Sequence, residues 1–318
     1  MQTINSQKIQ VGISSCLLGE KVRYDSGHKR NVYINTALSQ YFEFKSFCPE
    51  VDIGLGTPRE TIRLVTMDDK IRCVGTNTPT LDVTEKLYEC ADGQKHWHKQ
   101  LCGYILKKDS PSCGMERVRL YKGDMPVRKG VGLYAERLMG NFPNLPIEEE
   151  GRLGDPVIRE NFIQRVFIYS RWKDLCSETL QWKHLVEFHA KHKYIYMSHN
   201  QNLSRELGSW LADCHQLDVD EMHQYYLTKM MTLLKVKASR QNHVNTLQHI
   251  QGYLKKNLQG DDKKELSNII HNYREGLVPL IVPITLLRHH FMHHPDSYIT
   301  DSYYMKPHPS ELMLLNSL

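Results

Sequence analysis

The chain has 318 residues, of which 40% are hydrophobic and 24% charged, and its net charge is +5. These values fit a folded chain of one large or two ordinary domains and exclude a disordered one. No uninterrupted apolar run approaches the roughly 20 residues that span a bilayer. The start of the chain also lacks a charged segment followed by an apolar stretch, so a cytoplasmic location is expected.

The positive excess is mild. From Asp155 onward there are 19 Lys and Arg against 17 Asp and Glu, so most of it lies earlier. Such a balance neither requires nor rules out a nucleic-acid partner. Histidine is uneven, with 14 of 17 beyond Asp155. Eight cysteines in a reducing compartment do not read as a disulfide framework.

In chain order, Ile9, Val11 and Ile13 alternate with the period of a strand over 9–15, followed by a glycine-containing loop. Residues 35–42 read as a helix, and 43–47 as a second strand ending at Cys48. Residues 61–75 read as a hairpin around Asp68-Asp69. A helix with Thr84 as N-cap follows, then a third strand from 102 with a loop to Gly114, then a last helix within 130–143. The alternation predicts an α/β domain with a largely parallel sheet over 1–150. Residues 141–156 combine prolines, glycines and acids and read as a linker. Beyond them Pro156 suits a helix N1 position, and Phe162, Val166, Tyr169 and Trp172 share one helix face. Further helical periods follow, with Pro283 expected to open the last helix. Residues 151–318 are therefore expected to form an all-α domain.

On this reading Cys16 follows the first strand, Cys48 ends the second and Cys113 lies in the loop after the third. The carboxyl ends of parallel strands share one edge, so these thiols can converge there. Three thiolates suit zinc or an iron–sulfur group. No C-x-x-C pair is present, and the spacing alone favours buried structural cysteines over a metal site.

The segments "SSCLLG", "CPEVDIGLGTPRE" and "KKDSPSCG" resemble the signature segments of the DUF523 family, which includes the bacterial thiouracil desulfurase. The resemblance covers roughly residues 8–150, and "GEKVRYDSGHKRN" extends the first segment. It implies a [4Fe-4S] cluster on Cys16, Cys48 and Cys113, with the substrate's sulfur passing to the unligated iron. "HAKHKYIYMSH", "RQNHVNTLQHIQGYLKK" and "YREGLVPLIVPITLLRHH" resemble a second family, DUF1722, which implies no activity.

Removing sulfur from a thiocarbonyl requires an electrophile for sulfur, a water and a group that moves protons. Glu50, two residues after a ligand, is the candidate base or water-orienting carboxylate; otherwise it is a helix N-terminal acid or ion-pair partner. Ser110 and Ser112 could hydrogen-bond the substrate or a cluster sulfur, with Ser112 as a catalytic candidate, or serve only the turn at Pro111. Arg23, Asp25 and Arg59 are candidates to bind a pyrimidine edge or a nucleotide phosphate, or to fix the loop by ion pairing. In the helical part, His189, His192 and His199, His243 and His249, and His289, His290, His293 and His294 could bind metal or pack. Lys193, Arg240, Lys255 and Lys256 with Tyr194, Tyr196 and Tyr253 could contact nucleic acid or a protein.

The expected function is an iron–sulfur desulfidase acting on a thiolated base or nucleotide. The alternative is a nucleic-acid- or protein-binding module whose cluster is structural or redox-sensing.

Overall fold

The first apolar alternation does form a strand, and parallel neighbours flank it on both sides. The computed structural model describes residues 8–123, 125–177, 180–309 and 312. The chain divides into two compact units, Met1–Asp155 and Pro156–Leu318.

Along the first unit, β1 (Ile9–Ser14) is followed by the short helix α1 (Val32–Thr36) and by β2 (Phe42–Phe47). One helical turn, α2 (Pro49–Asp52), precedes the hairpin β3 (Ile62–Met67) and β4 (Lys70–Gly75). Helices α3 (Thr84–Gly93) and α4 (Lys95–His98) lead to β5 (Gly103–Leu106). A second hairpin, β6 (Val118–Lys122) and β7 (Met125–Gly130), is followed by α5 (Leu133–Asn141) and β8 (Ile147–Glu149). One sheet is parallel throughout, in the order β2-β1-β5-β8. The two hairpins form a second sheet, β4-β3-β6-β7, in which β3 and β6 run parallel.

Asp68 and Asp69 both adopt positive φ, as the two-residue turn of the expected hairpin requires. The helix expected at 35–42 starts earlier, because the Asn31 side chain accepts the Ile34 N–H at 3.1 Å and caps α1. Thr84 is the first residue of α3, not its cap. Its hydroxyl accepts the Cys73 N–H at 2.8 Å instead and ties the helix to β4. The β6–β7 hairpin is not among the elements read from the sequence, because Met125–Lys129 are exposed and carry no alternating burial.

Residues 141–156 do not form a linker. Ile147–Glu149 is buried and completes the parallel sheet beside β5. Its acids, which resemble those of a solvated connection, are internal pins. The Glu149 carboxylate accepts the Met115 N–H at 2.7 Å, and Glu150 accepts from the Lys107 ammonium at 2.5 Å and the Lys108 N–H at 2.7 Å.

Every element described in the second unit is helical: α6 (Pro156–Leu175), α7 (Trp182–His199), α8 (Gln201–Asp213), α9 (Val219–Lys235), α10 (Arg240–Tyr253), α11 (Gly260–Arg274), α12 (Ile281–His293) and α13 (Ser297–Thr300), with short 3-10 turns. Pro156 opens α6 as expected; Pro283 is the third residue of α12, which begins at Ile281. In its core Trp172 stacks on Tyr226 with ring centres 5.4 Å apart, among fully buried Ile168, Leu185, Leu234, Leu247 and Leu266. Among the described residues no helix is long and apolar enough to cross a membrane.

Two predictions follow from packing. A Cβ on Gly12 would lie 2.4 Å from the Tyr104 ring and 2.8 Å from Leu101. Gly12→Ala is therefore expected to cost about 1–3 kcal/mol, read as a lower urea midpoint; an unchanged midpoint would contradict the packing. In the second unit, burial holds His192 and His243 at about 3 and His199 at about 4. The unfolded chain takes up these protons below about pH 6.5. Stability should therefore fall as pH drops from 6.5 toward 4, by up to about 1.4 kcal/mol per pH unit for each histidine. Urea unfolding followed by far-ultraviolet circular dichroism at several pH values tests this, and a flat profile refutes it.

Candidate active site

The parallel pairing of β2, β1 and β5 brings three sequence-distant turns to one sheet edge. Cys16 lies in the 3-10 turn directly after β1, and Cys48 immediately follows β2. Pro49 then takes the first position of α2, where its missing N–H costs nothing. Cys113 lies in the loop after β5. All three line one cavity of about 550 Å³. The chain runs from β1 to β2 on one side and returns to β5 on the other, so the cavity stands at the switch point of the sheet.

Glycines let the Cys113 loop pack tightly. A Cβ on Gly132 would fall 2.6 Å from the Ser112 carbonyl, and one on Gly114 would lie 2.3 Å from Val118. The closeness allows the N–H groups of Gly132, Leu133 and Ala135 to donate to the carbonyls of Gly114, Pro111 and Ser112. The start of α5 thus holds the loop by its own unsatisfied donors. On the opposite side, the N–H groups of Lys29 and Asn31 donate to Cys16 and Leu17 carbonyls and fold the 18–31 loop over the edge.

Glu50 is the polar centre of the cavity. Arg59 donates to its Oε2 through Nη2 at 2.6 Å and Nε at 3.1 Å. Its other oxygen accepts the Ser112 hydroxyl at 2.6 Å, with the Ser110 hydroxyl at 3.4 Å. The Ser112 hydroxyl also lies 3.6 Å from the Cys113 sulfur. Ser110 Oγ accepts the N–H of Cys113 at 3.1 Å, so it fixes the loop as well as lining the cavity. Ser112 is fully buried behind the lining, between Glu50 and Cys113.

The other expected residues separate. Every nitrogen of Arg59 is engaged, Nη1 with the Gly56 carbonyl at 2.7 Å and Nη2 also with that of Val22 at 3.0 Å. Arg59 therefore uses four of its five N–H donors on Glu50 and the loop, which leaves one hydrogen on Nη1 at the cavity wall. Arg23 lines the cavity, whereas Asp25 is exposed, outside the lining, and accepts the Gly27 N–H at 3.0 Å. The two side chains are 3.6 Å apart. Sequence reasoning missed Lys29, Lys107, Lys108 and Arg119, which also line the cavity. Lys107 follows β5 directly, a position legible from the strand; Arg119 comes from the unrecognised hairpin.

Burial pushes the Cys16 thiol up to about 11, partly offset by the Lys107 and Arg23 cations. Burial likewise raises Cys48 and Cys113. Such thiols stay protonated at neutral pH unless a bound cation displaces the protons. Among the described residues no three His, Cys, Asp or Glu side chains are grouped to hold a single metal ion. Three thiols lining one cavity are the donor type that a soft metal or a metal–sulfide group takes.

In the helical unit, His192 and His199 are buried, with His192 Nδ1 2.8 Å from the Phe188 carbonyl and His199 between the Val236 carbonyl and Gln164. His243 Nδ1 meets the Tyr304 hydroxyl at 2.9 Å. Tyr194 and Tyr196 are core residues, and Arg240 donates to the Tyr273 carbonyl at 2.6 Å. Lys193, His249, Tyr253, Lys255 and Lys256 remain exposed, as do His289 and His293. His290 is buried and His294 half-buried.

Residues 11–150 match the family model for 2-thiouracil desulfurase, and residues 193–309 match that of DUF1722, a protein family of unknown function. An uncharacterized protein of Escherichia coli (strain K12), YbgA, is 29% identical over 134 residues, covering 42% of this chain and 79% of that protein. A solved structure of the [4Fe-4S]-dependent thiouracil desulfidase TudS shares 28% identity, covers 47% of this chain and 94% of its own, and superposes with a TM-score of 0.35. The chain is thus similar to the 2-thiouracil desulfurase family over residues 11–150 and to DUF1722 over residues 193–309.

Proposed function

We propose that the first unit is a desulfidase that converts the thiocarbonyl of a thiolated nucleobase or nucleotide to a carbonyl, consuming water and releasing hydrogen sulfide. The observation that carries this reading is a carboxylate fixed inside a cavity lined by three strand-end thiols.

Cys16, Cys48 and Cys113 would hold a [4Fe-4S] cluster. When bound, it supplies an iron without a protein ligand, a Lewis acid far softer toward sulfur than toward oxygen. Glu50 acts from Oε1, the oxygen that Arg59 leaves free, and orients the attacking water and takes its proton. Ser112, in reach of both Glu50 and the Cys113 sulfur, returns a proton toward the departing sulfide. Water loses two protons and its oxygen becomes the carbonyl, so the atoms balance with no oxidant. Arg59 is a positioning residue, because its fork fixes Glu50 without touching the reacting atoms. Arg23, Lys29, Lys108 and Arg119 give the cavity wall a positive excess over Glu50 and Asp109, which suits an anionic substrate such as a nucleotide. Ser110 would donate to the substrate. On this reading residues 1–150 are the catalytic domain and 151–318 an accessory domain that could contact nucleic acid.

Anaerobically reconstituted protein should release sulfide from a panel of thiopyrimidine bases and nucleotides. No release from any of them would return the reading to a binding module. Ser112→Ala should retain its iron and lose about 10²-fold or more in kcat; full activity would remove Ser112 from proton transfer. Arg59→Met should likewise keep iron while lowering kcat, and a change confined to KM would instead make Arg59 a substrate ligand.

A further inference from the structure

A second cavity, of about 610 Å³, lies in the helical unit, against α7, α8, α10 and α13. It is as large as many small-molecule sites and comparable in size with the cysteine-lined cavity. We propose that it binds a small organic anion carried on a flat apolar ring.

The groove arises from the sequence of two consecutive helices. Only Asn200 separates α7 from α8, and its side chain accepts the Leu203 N–H at 3.0 Å to start the second helix. Val186, Ala190, Lys193 and Met197 form one stripe of α7 at helical spacing, and Ser204, Gly208 and Ala212 form one of α8. Facing helices normally interlock through large side chains. Here Ala190, Ser204, Gly208 and Ala212 leave the space open.

Its apolar part lacks a cover. Trp182 donates its only polar hydrogen to the Leu211 carbonyl at 2.9 Å and leaves its ring 38% exposed at the groove. Met197 and Tyr298 continue that surface.

Its polar part consists of donors. Lys193 and Arg205 line the groove and His249 stands beside them; among the described residues neither cation has an acidic partner and no carboxylate lines the groove. Gln201 Nε2 is buried with no acceptor. His189 meets the Tyr226 hydroxyl with Nδ1 at 3.1 Å, while a Cβ on Gly208 would lie 3.5 Å from its Nε2. That Nε2 is the ring's remaining nitrogen and stands beside Gly208, where it can meet a ligand. Burial keeps the ring neutral, holding it at about 4. Two cations without an acidic partner among the described residues and an unpaired amide beside an exposed indole complement an anionic oxygen group on an aromatic ring.

Calorimetric titration of the full chain tests this with three probes: indole-3-carboxylate, which has both parts; indole, which lacks the charge; and inorganic phosphate, which lacks the ring. The carboxylate should bind in the micromolar range, and indole and phosphate at least tenfold more weakly. Lys193→Gln with Arg205→Gln, both at exposed positions, should weaken the carboxylate at least tenfold with the helical circular dichroism unchanged. Absent carboxylate binding, equal binding by the double variant, or phosphate binding as tightly as the carboxylate would each overturn the proposal. So would an oligonucleotide that needs Lys193 and Arg205 when the ring anion does not bind.

Discussion

Parallel pairing of β2, β1 and β5 is the constraint on which the first unit depends. Parallel strands must all end on the same edge, so three turns separated by dozens of residues are delivered to one place. The thiols follow those strand ends in sequence and need no local motif to meet. Burial raises all three thiols, so a metal group held there would have to displace their protons.

A small number of charged contacts keeps the edge rigid. Arg59 joins Glu50, the Val22 carbonyl and the Gly56 carbonyl, and so locks the first loop to the turn after Cys48. Glu150 locks Lys107 and Lys108 at the end of β5. Glu149 fixes Met115 just beyond the Cys113 loop. Each acid comes from one strand or turn and each partner from another. Loss of one contact would therefore move a loop rather than a single side chain, and the cavity geometry is a property of the network.

Much of this was legible in the sequence. Alternation at Ile9, Val11 and Ile13 marked β1, and a cysteine at each strand end followed from the α/β pattern. Ion pairing is legible as an alternative for Glu50 and for Arg59 separately, but their pairing with each other is not, because spacing does not name a partner. Residues 147–150 were misread because acids beside prolines have the composition of a linker; only tertiary partners such as Lys107 and the Met115 N–H reveal them as internal. The exposed strand β7 carries no periodic signal, which hid Arg119. The helical unit was legible as helices, yet the groove between α7 and α8 depends on the absence of side chains at Ala190 and Gly208, a signal that a search for chemical groups passes over.

The central claim is that Cys16, Cys48 and Cys113 together hold one iron–sulfur cluster. Iron and acid-labile sulfide per chain, measured after anaerobic reconstitution, test it most directly. About four of each are expected in the wild type and in Cys176→Ala, with loss in each of Cys16→Ala, Cys48→Ala and Cys113→Ala. Zinc, no metal, or a full complement in any of those three variants would contradict it.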